Sequence, residues 1–99
     1  MNILLICACG MSTSLLVNRM KEVGSSEDRI EALPVDKLEH NVKDYQVVLV
    51  GPQIRYKFND IKKICDENQV ACGLMDMASY GQMNGKVMYE QAKNLVVNK

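Results

Sequence analysis

The chain predicts an α/β fold: a single domain with a four-stranded parallel open sheet, strand order 2-1-3-4, and helices on both faces. Three observations lead there. Apolar runs of strand length take turns with helical periodicities four times over. Two of the runs, Ile3 to Cys7 and Val47 to Val50, contain no polar position, the pattern of strands buried on both faces. Each pair of runs is separated by enough residues for the helical, right-handed crossover that parallel neighbours need.

Element by element, the first run ends at Cys7, and Leu16, Met20 and Val23 then share one face of a helix that Gly24 and two serines can end. Arg29 to Val35 alternates and meets Pro34, which suits an edge strand. Asp36 and Glu39 have the spacing of a capping box, ahead of a short helix through Leu38, Val42 and Tyr45. Val47 to Val50 stops at Gly51-Pro52. Phe58, Ile61, Ile64 and Cys65 form a third helical face, Val70 to Met75 a fourth strand interrupted by Gly73, and Met88, Ala92, Leu95 and Val96 a closing helix. The two unbroken runs belong at the centre, which gives the order 2-1-3-4. Such a sheet reverses direction between its first and third strands, and ligands of open α/β sheets bind at the strand carboxyl ends there. Residues 7–14, 51–54 and 76–85 converge on that point.

Composition narrows the classes. At 99 residues, with 47% apolar and 24% charged residues, the chain is ordinary and globular, with room for one core. Lysine plus arginine equals aspartate plus glutamate, 12 against 12, so no bulk charge steers it toward nucleic acid or an anionic membrane. "LLICAC" faintly resembles a lipoprotein cleavage box, but no basic residue precedes Arg19, so no signal peptide is read there. No run approaches a membrane span. A cytoplasmic protein without membrane insertion is expected, its four cysteines reduced and without a structural disulfide.

A cysteine at the end of a strand, followed by the polar loop Gly10-Met11-Ser12-Thr13-Ser14 and a helix, meets unpartnered backbone N–H groups and the positive end of a helix dipole. That setting favours an anion, either a thiolate or the oxygens of a phosphoryl group on sulfur, with Ser12, Thr13 and Ser14 as further donors. Phosphatases of the C-x5-R type, including the low-molecular-weight tyrosine phosphatases, share this geometry. Here Thr13 stands where their arginine would be. A loop able to take up a phosphoryl group without the arginine clamp suits holding the group more than hydrolysing it.

The strand with C-x-x-GMSTSLL at Cys7 to Leu16, VVLVGPQI at Val47 to Ile54 and YG at Tyr80 and Gly81 together resemble the IIB component of the bacterial phosphoenolpyruvate-dependent sugar phosphotransferase system, lactose/cellobiose/chitobiose type. The resemblance covers nearly the whole chain and implies one such domain over residues 1–99. It implies that Cys7 accepts a phosphoryl group from a phosphohistidine on component IIA and passes it to a sugar, such as cellobiose, chitobiose or a related disaccharide, held by membrane component IIC. Ala8, Cys9, Gly10, Met11, Ser12, Thr13 and Ser14 would form the phosphate-binding loop. Pro52, Gln53 and Tyr80 would lie on the rim with Met11, facing a partner. No cofactor and no metal are implied. Cys9 departs from the family pattern, where a small residue without a thiol is usual, and adds a potential redox partner for Cys7.

Two alternatives belong to other classes: a thiol redox protein using Cys7 and Cys9, and an anion-binding module without chemistry. Cys65 and Cys72 are read as small core residues. A zinc site from the four cysteines would lack the paired C-x2-C spacing. His40 is read as a solvated helix residue, and Met20, Met75 and Met88 as core.

Overall fold

A computed structural model describes residues 1–7 and 11–97, with the side chains of residues 11 and 12 outside the description. Four parallel strands, β1 (Asn2–Cys7), β2 (Arg29–Pro34), β3 (Val47–Val50) and β4 (Ala71–Leu74), form one sheet in the order β2-β1-β3-β4, the predicted topology. Helices α1 (Met11–Val23) and α5 (Gly85–Val97) cover one face. On the other lie α3 (Phe58–Glu67) and the short α2 (Leu38–Asn41).

Two cores follow from strand alternation. Ile3, Leu5, Val47 and Leu49 point toward α1 and α5, packing with Leu16, Met20, Met88 and Ala92. Leu4, Ile6, Val48 and Val50 point the other way, onto Leu38, Val42, Ile61 and Cys65. The expected core methionines Met20, Met75 and Met88 are buried, and His40 is exposed. Pro34 ends β2 at the sheet edge, where its missing N–H leaves no ladder bond unmade.

Several sequence expectations need correction. Asp36 and Glu39 form no capping box, because the chain enters α2 through a 3-10 turn, Val35–Lys37, and Lys37 occupies the N-cap without a side-chain bond. Val23, assigned to the buried face of α1, is 45% exposed in its last turn. Between β4 and α5 the chain forms an extra helix, α4 (Met77–Gly81), whose N-cap Asp76 accepts bonds from the Ser79 N–H and hydroxyl, each at 3.0 Å. Tyr45 follows a second 3-10 turn in extended conformation and is buried. The Arg29 guanidinium carbon lies 5.1 Å from its ring centroid.

One contact fixes the helices of the first core. A Cβ added at Gly85 would lie 2.5 Å from the carbonyl carbon of Arg19 and 2.7 Å from its oxygen, so the start of α5 rests directly on the backbone of α1. Gly85→Ala should destabilise the protein by about 1–3 kcal/mol through overpacking. Gly81→Ala, with nothing within 4 Å of the added atom, should be neutral or stabilising by up to about 1 kcal/mol. Urea unfolding of the two variants checks both.

Asp28 joins the beginning of β2 to α5 and to the chain's amino group. The Tyr89 hydroxyl donates to its Oδ2, Met1 donates to Oδ1 at 2.9 Å and the Ser25 N–H to Oδ2 at 2.9 Å. The Tyr89 bond first, and the amino group second, hold its pKa at about 2, below the ordinary 3.8. A depressed carboxyl stabilises the fold fully above its unfolded value and loses that contribution as pH falls toward the folded one. Stability should therefore decline between about pH 4 and pH 2. In Asp28→Asn, denaturant midpoints measured across that window should fall less steeply.

Candidate functional site

Cys7 is the last residue of the inner strand β1, paired with Pro34 of β2, and only 4% exposed. Four residues later α1 begins, so the first N–H groups of that helix, which have no partner within it, belong to the same end of the sheet. β3 reaches this end at Val50, and the Gly51 N–H continues the ladder to the Ile6 carbonyl at 2.8 Å. A Cβ at Gly51 would lie 3.3 Å from Cys7 Cβ and 3.0 Å from Gln53 Oε1. Glycine thus lets the third strand's exit pass close beside the cysteine, with the Gln53 side chain folded back over it.

Tyr80 enters from α4. Its hydroxyl lies 3.3 Å from Thr13 Oγ1, and both side chains are buried. Thr13 is the only buried polar side chain among the described residues, and this partner explains why it is tolerated there. Two of the expected site residues, far apart in sequence, are thereby brought together. The hydroxyl of Thr13, expected as a phosphate donor, thus lies beside that of Tyr80, with either oxygen able to donate, whereas Ser14 is exposed. Pro52 begins a 3-10 segment, Pro52–Lys57, and is half-buried; Gln53 is exposed. The expected loop residues Ala8, Cys9 and Gly10, and the side chains of Met11 and Ser12, lie outside the described residues.

Beside Pro52 lies an open cavity of about 490 Å³ that also takes in Arg55, Asp76, Met77 and Val87. Arg55 was not singled out from the sequence. Its signal was weak, a cation three residues after Pro52 whose placement depends on the tight 3-10 turn. Among the described residues no group of three or more histidine, cysteine, aspartate or glutamate side chains could hold a metal ion, and no helix is long and apolar enough to cross a membrane.

The family model for the phosphotransferase system (PTS) lactose/cellobiose-specific IIB subunit matches residues 2–91. The chain belongs to that family. The oligo-beta-mannoside-specific EIIB component of Bacillus subtilis (strain 168) is 41% identical to this IIB chain, over 97% of the chain and 96% of the relative. The cellobiose-specific EIIB component of Lactococcus lactis subsp. lactis (strain IL1403) is 29% identical over 95% and 94%. In structure, the cellobiose-specific IIB component from Borrelia burgdorferi superposes with a TM-score of 0.82 at 35% identity, covering 100% of this chain and 94% of that one. The lactose-specific IIB domain from Streptococcus pneumoniae, at 13% identity, shares the fold with a TM-score of 0.78 over 97% and 94%. IIB components are phosphotransferases that pass a phosphoryl group to sugar and work with IIA and IIC components.

The Thr13–Tyr80 contact generates a prediction. Tyr80→Phe removes one partner of a buried pair and should cost about 1 kcal/mol of stability. In a Thr13→Val background the same change should cost less, and a double-mutant cycle by urea unfolding measures the difference.

Proposed function

We propose that Cys7 is the phosphoryl carrier of this IIB chain. It accepts the group from a phosphohistidine on a IIA component and delivers it, at the cytoplasmic face of the membrane, to a sugar held by a IIC component. The observation that carries this reading is the position of Cys7 at the carboxyl end of an inner parallel strand, four residues ahead of the 13-residue helix α1 and against the glycine exit of β3. A sulfur at this end of the sheet shares it with the positive end of the α1 dipole, whose first N–H groups have no partner within the helix, a setting that suits the dianionic oxygens of a phosphothiolate. Residues 8–14 are proposed to form the phosphate-binding loop, with Pro52, Gln53 and Tyr80 at its rim.

The chemistry is two displacements. The Cys7 thiolate attacks phosphorus, a P–S bond forms, and the P–N bond to the donor imidazole breaks. A sugar hydroxyl then attacks the same phosphorus while the P–S bond breaks, and its proton passes to a base supplied by IIC. Thr13, in the place of the phosphatase arginine, is neutral and turned to Tyr80, so no cation from that position stabilises attack by water. Holding is favoured over hydrolysis. The sugar is proposed to be cellobiose, chitobiose or a related β-linked oligosaccharide, in keeping with the names of the oligo-beta-mannoside and cellobiose relatives.

Labelling from phosphoenolpyruvate through the general donor proteins and a cognate IIA should place one phosphoryl group on Cys7. Cys7→Ser should lower uptake to background. With donors removed, the label should persist until membranes carrying IIC and its sugar are added, and should then appear as sugar phosphate. Release as inorganic phosphate at the same rate without acceptor would make the protein a phosphatase.

A further inference from the structure

A second pair of sulfurs lies away from the candidate site. Cys65 is in the last turn of α3 and Cys72 in the middle of β4, on the face that α3 covers. Cys72 shares its sheet row with Val48 and Leu4, three residues short of the row of Cys7 and two strands across, which places the pair roughly 14 Å from it. What brings the two thiols together is the turn between them. The Val70 N–H bonds to the Cys65 carbonyl at 2.8 Å and the Gln69 N–H to the Asp66 carbonyl at 3.1 Å, the two bonds of a Schellman motif. Gln69 takes the left-handed conformation, φ 61°. The chain thus folds straight back into β4, which packs Cys72 against the same core cluster that holds Cys65.

The two sulfurs differ in access. Cys65 is fully buried. Cys72, read from the sequence as core, is only half-buried and lines an open cavity of about 490 Å³ together with Lys62, Asp66 and Gln69. Interaction between the two thiols and burial raise the pKa of Cys65; the same interaction and the Lys62 ammonium lower that of Cys72, against the burial that pushes it up. One sulfur open to a cavity and a second, buried thiol packed in the same core make the division of labour of a peroxide-sensitive pair.

We propose that Cys72 and Cys65 form a redox modification site in which a hydroperoxide entering the cavity oxidises Cys72 and Cys65 closes the product into a disulfide joining α3 to β4. The Cys72 thiolate attacks one peroxide oxygen, the O–O bond breaks, and the departing hydroxide takes a proton to become water, or an alcohol from an alkyl peroxide. The sulfenic acid left on Cys72 is then attacked by the Cys65 sulfur. An S–S bond forms, the S–O bond breaks, and the leaving hydroxide takes the Cys65 proton. Two thiols lose two electrons and the peroxide gains them. The site is independent of which residue carries the phosphoryl group.

Hydrogen peroxide applied briefly to the full chain, followed by alkylation in denaturant and mapping, tests this. Cys65 and Cys72 share one tryptic peptide, so a further cut after Glu67 is needed to separate them. The expected result is loss of both alkylatable thiols and two fragments that stay joined until a reductant is added. In Cys65→Ala the joined species should disappear, and a cyclic dione should capture a sulfenic acid on Cys72. Cys72→Ser should leave Cys65 unoxidised and phosphoryl uptake intact. Oxidation confined to Cys7 and Cys9, with Cys65 and Cys72 still alkylatable, would overturn the proposal. Mapping of the unmodified chain decides between these outcomes even where a variant fails to fold.

Discussion

Burial of both faces of β1 is the constraint on which the other elements depend. Ile3, Leu4, Leu5 and Ile6 are wholly inaccessible to solvent and alternate between two cores, so each face needs its own helical cover and each edge its own parallel neighbour. Parallel neighbours require crossovers, and crossovers from one central strand to both sides carry the chain in opposite directions across the sheet. The carboxyl ends of β1 and β3 and the start of α1 are consequently gathered at one end. The position of Cys7 follows from hydrophobic burial, before any property of sulfur is considered.

That origin explains why the topology is readable from one sequence. A four-residue run such as Val47–Val50 has no polar face, Pro34 marks an edge, and together they leave few arrangements. Boundaries are less readable. The spacing of Asp36 and Glu39 suits a capping box, yet a 3-10 turn shifts the register before α2 begins. Helix α4 has only five residues and no apolar period; its one signal is Asp76 three residues before Ser79. The turn at Gln69 lacks the glycine that usually announces a left-handed C′ position.

In the site, local and long-range information part company. Cys7 and its polar loop are contiguous in sequence, and the resemblance to IIB components is carried by such contiguous segments. The Thr13–Tyr80 contact joins residues 67 positions apart, and nothing near either residue in sequence announces the other. Cys65 and Cys72 are seven positions apart, but their placement in one core depends on a reversal of direction that periodicity does not encode. Periodicity puts both thiols on core faces, and the difference in their exposure emerges only with the packed structure.

The resting of Gly85 on the backbone of α1 also sets an order of events during synthesis. The helix that follows the candidate site is flanked on the sheet by α5, which comes well over fifty residues later in the chain. At ~5–20 residues per second of translation, α1 emerges several seconds before this neighbour does. Because this contact joins distant parts of the chain, it is late and entropically expensive to form. On the ribosome, α1 is made well before α5 yet reaches its final packing only once α5 has followed.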